Sequence, residues 1–259
     1  PYDIVLFGAT GFTGGLAAEY LAEHAPDGCR WALAGRSRMK LEAVRDHLGR
    51  VIDGLGAIDL IEADSTDAES LRRVAESTRV VITTVGPYLE HGNELVAACA
   101  AAGTDYVDLT GEPEFVDRMF IAHQDAAVRS GARIVHACGF DSIPHDLGAL
   151  FTVKQLPSGV PVNIHGVVRT NATFSGGTLH SALGQLSRMG SMRRAAADRR
   201  RVEDSPVDRK VSAPSGTPRR DKQLGTWLVP MPTIDPEVIR RSALARSDYG
   251  PGRLSAVSY

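Results

Sequence analysis

Apolar residues in the first 140 positions fall into short runs separated by segments of helical period. Residues 3 to 7 (DIVLF) form the first run and end at a glycine, after which an amphipathic pattern continues through Leu16, Tyr20 and Leu21. The alternation recurs as WALA (31 to 34) then 38 to 48, AIDLIEA (57 to 63) then 67 to 76, and RVVITTV (79 to 85) then 92 to 102. It continues with DYVDL (105 to 109) then 114 to 129, and RIVHA (133 to 137). Continuous apolar runs of this length, each followed by a helix, predict six buried strands in a parallel sheet covered on both faces, with right-handed crossovers. The expected fold class is α/β, a doubly wound parallel sheet over residues 1 to 145. After Pro144 the rhythm changes. A helix-like segment (HDLGALFTVKQL) precedes Pro157, Gly159 and Pro161, and VNIHGVVRT then reads as a strand, so residues 146 to 259 are expected to begin a second, incomplete α+β domain.

Composition narrows the class. The chain has 259 residues, 43% hydrophobic and 23% charged, which excludes disordered, collagen-like and disulfide-scaffold proteins. Lys+Arg 29 against Asp+Glu 31 removes the overall basic excess of a nucleic-acid binder. Basic charge is instead local: residues 188 to 222 hold eleven Lys/Arg against five Asp/Glu. That stretch is expected to be a solvated helix followed by a mobile basic loop over about 198 to 222, or else a contact for an acidic partner or anionic lipid. Three cysteines without a CxxC pair suggest a reducing cytoplasm. No signal peptide pattern and no apolar stretch of about 18 residues is present. The chain starts at Pro1 and stops in strand-like sequence, so both ends are read as truncations.

The sharpest motif lies between the first strand and the first helix: Gly8-Ala9-Thr10-Gly11-Phe12-Thr13-Gly14. Gly8 permits the turn, Gly11 lets the backbone approach a pyrophosphate, and Gly14 lets helix and strand pack closely. Free amides and the positive end of the helix dipole then face the phosphates. The spacing is GxxGxxG, a departure from GxGxxG, and its place at the head of a six-unit βα series makes it a nucleotide-binding signal of Rossmann type. Gly35, Arg36 and Ser37 follow the second strand, where an NAD-binding protein carries an acid for the ribose 2′-hydroxyl. Arg36 stands there instead, and a guanidinium can hold a 2′-phosphate and stack on adenine, so NADP(H) is the expected cofactor. Asp64, after the third strand, either meets the adenine or caps the next helix. Val85, Gly86, Pro87 and Tyr88 follow the fourth strand at the switch point, as a wall for the pyrophosphate and nicotinamide ribose or as a plain strand-to-helix turn.

GATGFTG, LAGRS, TTVGPY, the run from Gly103 to Glu112, and Cys138-Gly139-Phe140-Asp141-Ser142-Ile143-Pro144 together resemble the saccharopine dehydrogenase-like oxidoreductases. Within them the chain looks most similar to the actinobacterial trans-acting enoyl reductases of cell-envelope lipid synthesis. The match is dense over residues 2 to 150 and thin beyond, through Ser175-Gly176-Gly177-Thr178. The resemblance implies a cytoplasmic NADPH-dependent enzyme, peripheral at the inner face of the plasma membrane where a lipid requires it. Its reaction would be reduction of a carbon-carbon double bond on a polyketide or lipid acyl chain, carrier-bound or free. A homo-oligomer is expected, and no nucleic-acid partner.

Such a reaction needs a proton donor. The candidates are Tyr88, Tyr106, Asp141 and His145, with Ser142 to orient a carbonyl. Each has an ordinary structural reading: packing for the tyrosines, capping for Asp141 and Ser142, a surface first-turn position for His145. Asp108 and Glu112 either bind ribose or substrate or cap a helix. Cys138 reads as a core thiol more readily than a nucleophile. Asp141, His145 and Asp146 make no metal set, because Pro144 interrupts them. Two other readings stay open: a saccharopine-type amino-acid oxidoreductase acting on an imine, and a catalytically silent NADP-binding scaffold or sensor.

Overall fold

The computed structural model describes residues 1–51, 57–157, 160–169, 171, 187–203, 209–214, 216–230, 234–249 and 252–259. Two compact units emerge. The first comprises Pro1–Thr110 and Glu114–His136; the second comprises Gly111–Pro113 and Ala137–Tyr259.

The first unit is a six-stranded sheet. Its strands are β1 (Tyr2–Phe7), β2 (Trp31–Gly35), β3 (Asp59–Glu62), β4 (Thr78–Thr83), β5 (Asp105–Asp108) and β6 (Ile134–Val135). The order is β3-β2-β1-β4-β5-β6 and every pairing is parallel. The helices are α1 (Phe12–His24), α2 (Arg38–Val51), α3 (Ala68–Ser77), α4 (Tyr88–His91), α5 (Asn93–Ala102) and α6 (Pro113–Ser130). This is the Rossmann arrangement, with the direction of winding reversing between β1 and β4. All six strands stand where the apolar runs predict them. The reason is that β1 and β2 are wrapped on both faces: Val5, Leu6 and Phe7 and the whole of β2 are buried.

The face of α1 is different from expectation. Leu16 and Tyr20 point to solvent, 52% and 63% exposed, while Gly14 and Ala18 are the buried positions. A Cβ on Gly14 would lie only 2.0 Å from the Gly8 carbonyl oxygen. The helix is therefore pressed onto the strand through its smallest residues, and its bulky ones must turn outward. Leu21 packs against the core formed by Leu6, Trp31, Leu33, Leu41 and Leu48.

The second unit contains α7 (Ile143–Lys154), β7 (Val162–Gly166), α8 (Met189–Val202), β8 (Arg209–Ser212), β9 (Arg219–Asp221), β10 (Thr226–Leu228), α9 (Asp235–Ala245) and β11 (Gly252–Ser258). Strands β7, β11 and β8 form one parallel sheet with β11 central, and β9 and β10 pair antiparallel. Ala149, Val153, Ile239, Ala243, Tyr249, Leu254 and Ala256 make its core, with Val162, Ile164 and Val211 against it. The units divide at residue 136/137, ahead of the expected 145/146. Pro144 lies in the first turn of α7, where its missing N–H costs nothing, so it opens a helix and does not divide domains. The turn out of the sheet falls at Ala137, a non-glycine residue with φ +59.

The basic stretch is also more ordered than a loop over 198 to 222 would be. Helix α8 runs to Val202, and strands occupy 209 to 212 and 219 to 221. Val211, between Lys210 and Ser212, packs on the core, and this alternation makes a strand of a charged segment. Residues 204–208 and 215 of that stretch, and Ser175-Gly176-Gly177-Thr178, lie outside the described residues. No helix among the described residues is long and apolar enough to cross a membrane.

Candidate functional site

The glycine-rich loop is built by steric necessity at two of its three glycines. Gly8 has φ +91, and a Cβ there would stand 2.7 Å from Val85 Cγ2 and 2.8 Å from Thr84 Oγ1. Thr84 Oγ1 donates to the Gly8 carbonyl at 3.2 Å, tying this loop to the segment after β4. Gly14 is excluded from bearing a side chain by the Gly8 carbonyl. Gly11 differs, since a Cβ there would meet only the Gly8 oxygen, at an ordinary 3.5 Å. Nothing inside the protein forbids a side chain at 11. Gly11 is the N-cap of α1 with no side-chain cap, so the first amides of the helix, at Phe12 and Thr13, have no intrahelical partner. Open space above Gly11, uncapped amides and a helix dipole together fit a dinucleotide pyrophosphate.

Gly35 ends β2, and a Cβ on it would stand 3.9 Å from Thr10, so the second strand closes against the same loop. Ser37 caps α2: its Oγ accepts from Lys40 N at 3.4 Å and its carbonyl from Leu41 N at 3.0 Å. Arg36 and Arg38 separate cleanly. Arg38 pairs with Glu42 at 3.1 Å and donates to the Leu60 carbonyl. Arg36 is exposed and has no carboxylate within ion-pair distance among the described residues. It stands just ahead of a helix N-terminus, a position unfavourable to a cation, which suits a bound anion.

Asp64 Oδ1 accepts from Thr66 N at 2.9 Å and from Thr66 Oγ1 at 2.8 Å. Those hydrogen bonds hold its carboxyl below the usual range, with smaller contributions from the charges of Arg36 and His91. The helix cap is Asp67, which accepts from Glu69 N at 3.1 Å. Asp64 therefore closes a turn beside Arg36, and the sequence did not single out His91. The Nδ1 of His91 is buried with no hydrogen-bond partner among the described residues. Val85, Gly86 and Pro87 follow β4, with a cis Gly86–Pro87 bond.

The proton-donor candidates fall into both units. Tyr88 is buried in the first unit and donates its hydroxyl to the Thr83 carbonyl at 3.1 Å. Tyr106 is wholly buried and donates to Asp108 Oδ2 at 2.9 Å; burial first, then the Asp108 charge, pushes its pKa well above the usual value. His136 Nδ1 lies 2.7 Å from the same oxygen, and Thr110 N donates to Asp108 Oδ1 at 3.0 Å. Asp108 is thus engaged by the protein's own groups. His136, at the end of β6, was missed by sequence reasoning, although its place after a strand was a usable signal. Cys99 is core, its thiol pushed up to about 12 by burial.

Asp141, Ser142 and His145 lie in the second unit, around the start of α7. Asp141 is half-buried, its Oδ2 3.3 Å from where a Gly111 Cβ would be. Ser142 is the N-cap of α7, yet its hydroxyl makes no cap hydrogen bond. His145 is 91% buried and has Nε2 3.7 Å from Asp235 Oδ2. Asp235 opens α9, ninety residues downstream, and nothing in the sequence linked the two. Among the described residues no group of three His, Cys, Asp or Glu is arranged to hold a metal ion.

The fold and the loop define a dinucleotide-binding Rossmann unit. The family model described as the saccharopine dehydrogenase NADP binding domain matches residues 4–135, and the chain belongs to that family. Its cofactor is NADP(H). A protein of Mycobacterium tuberculosis named trans-acting enoyl reductase is 52% identical over 148 residues, 56% of this chain and 34% of its own. Another protein of that organism named for the same activity is 48% identical over 190 residues, 72% of this chain and 44% of its own. A saccharopine dehydrogenase-like oxidoreductase of Arabidopsis thaliana is 35% identical over 254 residues, 93% of this chain and 55% of its own. The chain thus spans about a third to a half of the relatives it matches. Among solved structures, apo saccharopine dehydrogenase (L-Glu forming) from Saccharomyces cerevisiae aligns with a TM-score of 0.49 at 21% identity, covering 60% of this chain and 31% of that one.

Proposed function

We propose that this chain belongs to an NADPH-dependent oxidoreductase that reduces a carbon-carbon double bond of a polyketide or lipid acyl intermediate. The observation that carries the reading is the first unit itself: an uncapped glycine loop at the head of α1 and, after β2, an exposed Arg36 with no carboxylate within ion-pair distance among the described residues. The names of the mycobacterial relatives supply the reaction type. The amides of Phe12 and Thr13 hold the pyrophosphate, and Arg36 holds the 2′-phosphate. Val85, Gly86 and Pro87 wall the nicotinamide ribose, and Asp64 with His91 borders the adenine end.

When bound, NADPH supplies the hydride. The protein must orient the acyl chain, exclude water and give a proton to the α-carbon. Tyr88 is the weakest donor, because its O–H is already given to Thr83. Asp141 and His145 remain: neither side chain makes a hydrogen bond among the described residues, and His145 Nε2 only approaches Asp235 Oδ2, at 3.7 Å.

The experiment is to follow NADPH absorbance on adding an enoyl thioester, in parallel with an α-keto acid and amino-acid pair that forms an imine. Consumption with the thioester alone supports the reading. Consumption with the imine pair alone moves the protein to the saccharopine-type reaction, and neither, with NADPH bound, makes it a silent binding protein.

A further inference from the structure

The residues from 219 to 229 form a hairpin whose two sides differ. Among the described residues, strands β9 and β10 pair only with each other, with Leu228 opposite Arg219 and Trp227 opposite Arg220. Opposed residues in an antiparallel pair share a side, and neighbours along a strand alternate. One side is held by the second unit. Leu228 is 3% exposed, and the Arg219 guanidinium lies 5.2 Å from the centre of the Tyr259 ring and 3.4 Å from His165 Nδ1. The other side has no such cover: Trp227 is 66% exposed, and Arg220 across from it is exposed too.

The turn adds to the exposed residues. Asp221 Oδ1 accepts from Gln223 N and Leu224 N, both at 3.0 Å, and Gly225 takes φ +67, so residues 222 to 225 reverse the chain tightly. Leu224 in that turn is 53% exposed, and Val229, two residues past Trp227, is 63% exposed. Lys222 is exposed as well. The one acid of the stretch, Asp221, is occupied by the turn and by Arg219 at 3.2 Å. The hairpin thus offers Leu224, Trp227 and Val229 together with Arg220 and Lys222, and it exposes no carboxylate. Contiguous apolar side chains rimmed by charge of one sign mark a contact surface.

We infer that this hairpin docks the protein on a bilayer surface rich in anionic phospholipid, with Trp227 and Leu224 entering the headgroup layer and Arg220 and Lys222 meeting the phosphates. Tryptophan with aliphatic neighbours suits the boundary between headgroups and acyl chains, and basic residues beside it gain from an anionic surface. A protein partner fits less well. Three apolar side chains on one hairpin fall well short of the roughly 800 Å² that a stable protein interface buries on each side. The docking is to the surface only, since no helix among the described residues is long and apolar enough to cross a membrane, and it does not rest on the proposed reaction.

The test mixes the protein with vesicles of phosphatidylcholine alone, or of equal parts phosphatidylcholine and phosphatidylglycerol. It should sediment with the mixed vesicles and far less with phosphatidylcholine. Tryptophan emission should shift to the blue on binding, and Trp227→Phe should lose the shift while keeping most of the binding, because Trp31 is already buried. Trp227→Ala should weaken binding to the mixed vesicles by roughly tenfold or more, and so should Arg220→Glu combined with Lys222→Glu. Each variant should keep the wild-type melting midpoint, since the side chains removed are exposed. No binding of the wild type to mixed vesicles, or equal binding by wild type and Trp227→Ala, would overturn the assignment. Arg193 and Arg194 on α8 are exposed as well. Binding lost in Arg193→Glu with Arg194→Glu, and kept in the hairpin variants, would give the docking to α8 and overturn it too. An emission shift that grows with protein concentration without lipid would do the same, by assigning the surface to a contact between copies of the chain.

Discussion

The two units differ in how many of their buried polar groups find partners among the described residues. In the first, Asp108 collects Tyr106, His136 and Thr110 N, and Tyr88 is tied to Thr83, while His91 Nδ1 is buried without a partner among the described residues. In the second, Ser142, His145 Nδ1 and Ser258 stand buried without partners among the described residues. A satisfied network holds a shape, whereas an unpaired buried polar atom costs stability. The first unit spends most of its buried polar groups on its own network, and the second leaves several unpaired among the described residues.

Substitutions can break that contrast. The largest effect is expected at Gly14→Ala, whose Cβ meets the Gly8 carbonyl; it should lower stability by about 3 kcal/mol or more and remove NADPH binding, read by urea midpoint and titration. Gly15→Ala, one residue on with open space, should instead gain about 0.5 to 1 kcal/mol. Asp108→Asn comes next, with a loss of about 1 to 3 kcal/mol, because one oxygen that accepts from two groups becomes an amide. Ser142→Ala and Ser258→Ala should leave stability level or raise it by up to about 1 kcal/mol, since each removes an unpaired hydroxyl. A clear loss at either serine would show that its hydroxyl is satisfied, and the contrast would fail.

The smallest effect concerns acid. Burial pushes the Glu237 carboxyl up, but hydrogen bonds and charges from Arg240 and Arg241 outweigh it and hold the group below its usual 4.5. A depressed folded value means that the stabilisation is full above the unfolded value and is lost as pH falls through the folded one. Glu237→Gln should therefore flatten the fall in stability below about pH 4.5 and change little at pH 7, as measured by urea midpoints across that range.

Much of the first unit was legible because its strands are short apolar runs buried on both sides, so composition alone marks them. The outward turn of Leu16 and Tyr20 was not legible, because the close approach at Gly14 outweighs hydrophobicity in choosing the buried face of α1. The strands at 209 to 212 and 219 to 221 were hidden by their charge, since pairing is a backbone property that a count of arginines obscures. The nucleotide loop was visible as local spacing. The His145–Asp235 pair was not, because its two halves are ninety residues apart and only the packing of α7 and α9 joins them.

We propose that Arg36, with no carboxylate within ion-pair distance among the described residues where Arg38 is paired with Glu42, selects the phosphate form of the cofactor. Isothermal titration of the wild-type chain and Arg36→Glu with NADPH and NADH tests it directly. The wild type should prefer NADPH by roughly tenfold to a hundredfold, the worth of a hydrogen-bonded charge, and the variant should lose or reverse that preference. Equal affinities in the wild type, or a preference that survives in Arg36→Glu, would contradict it.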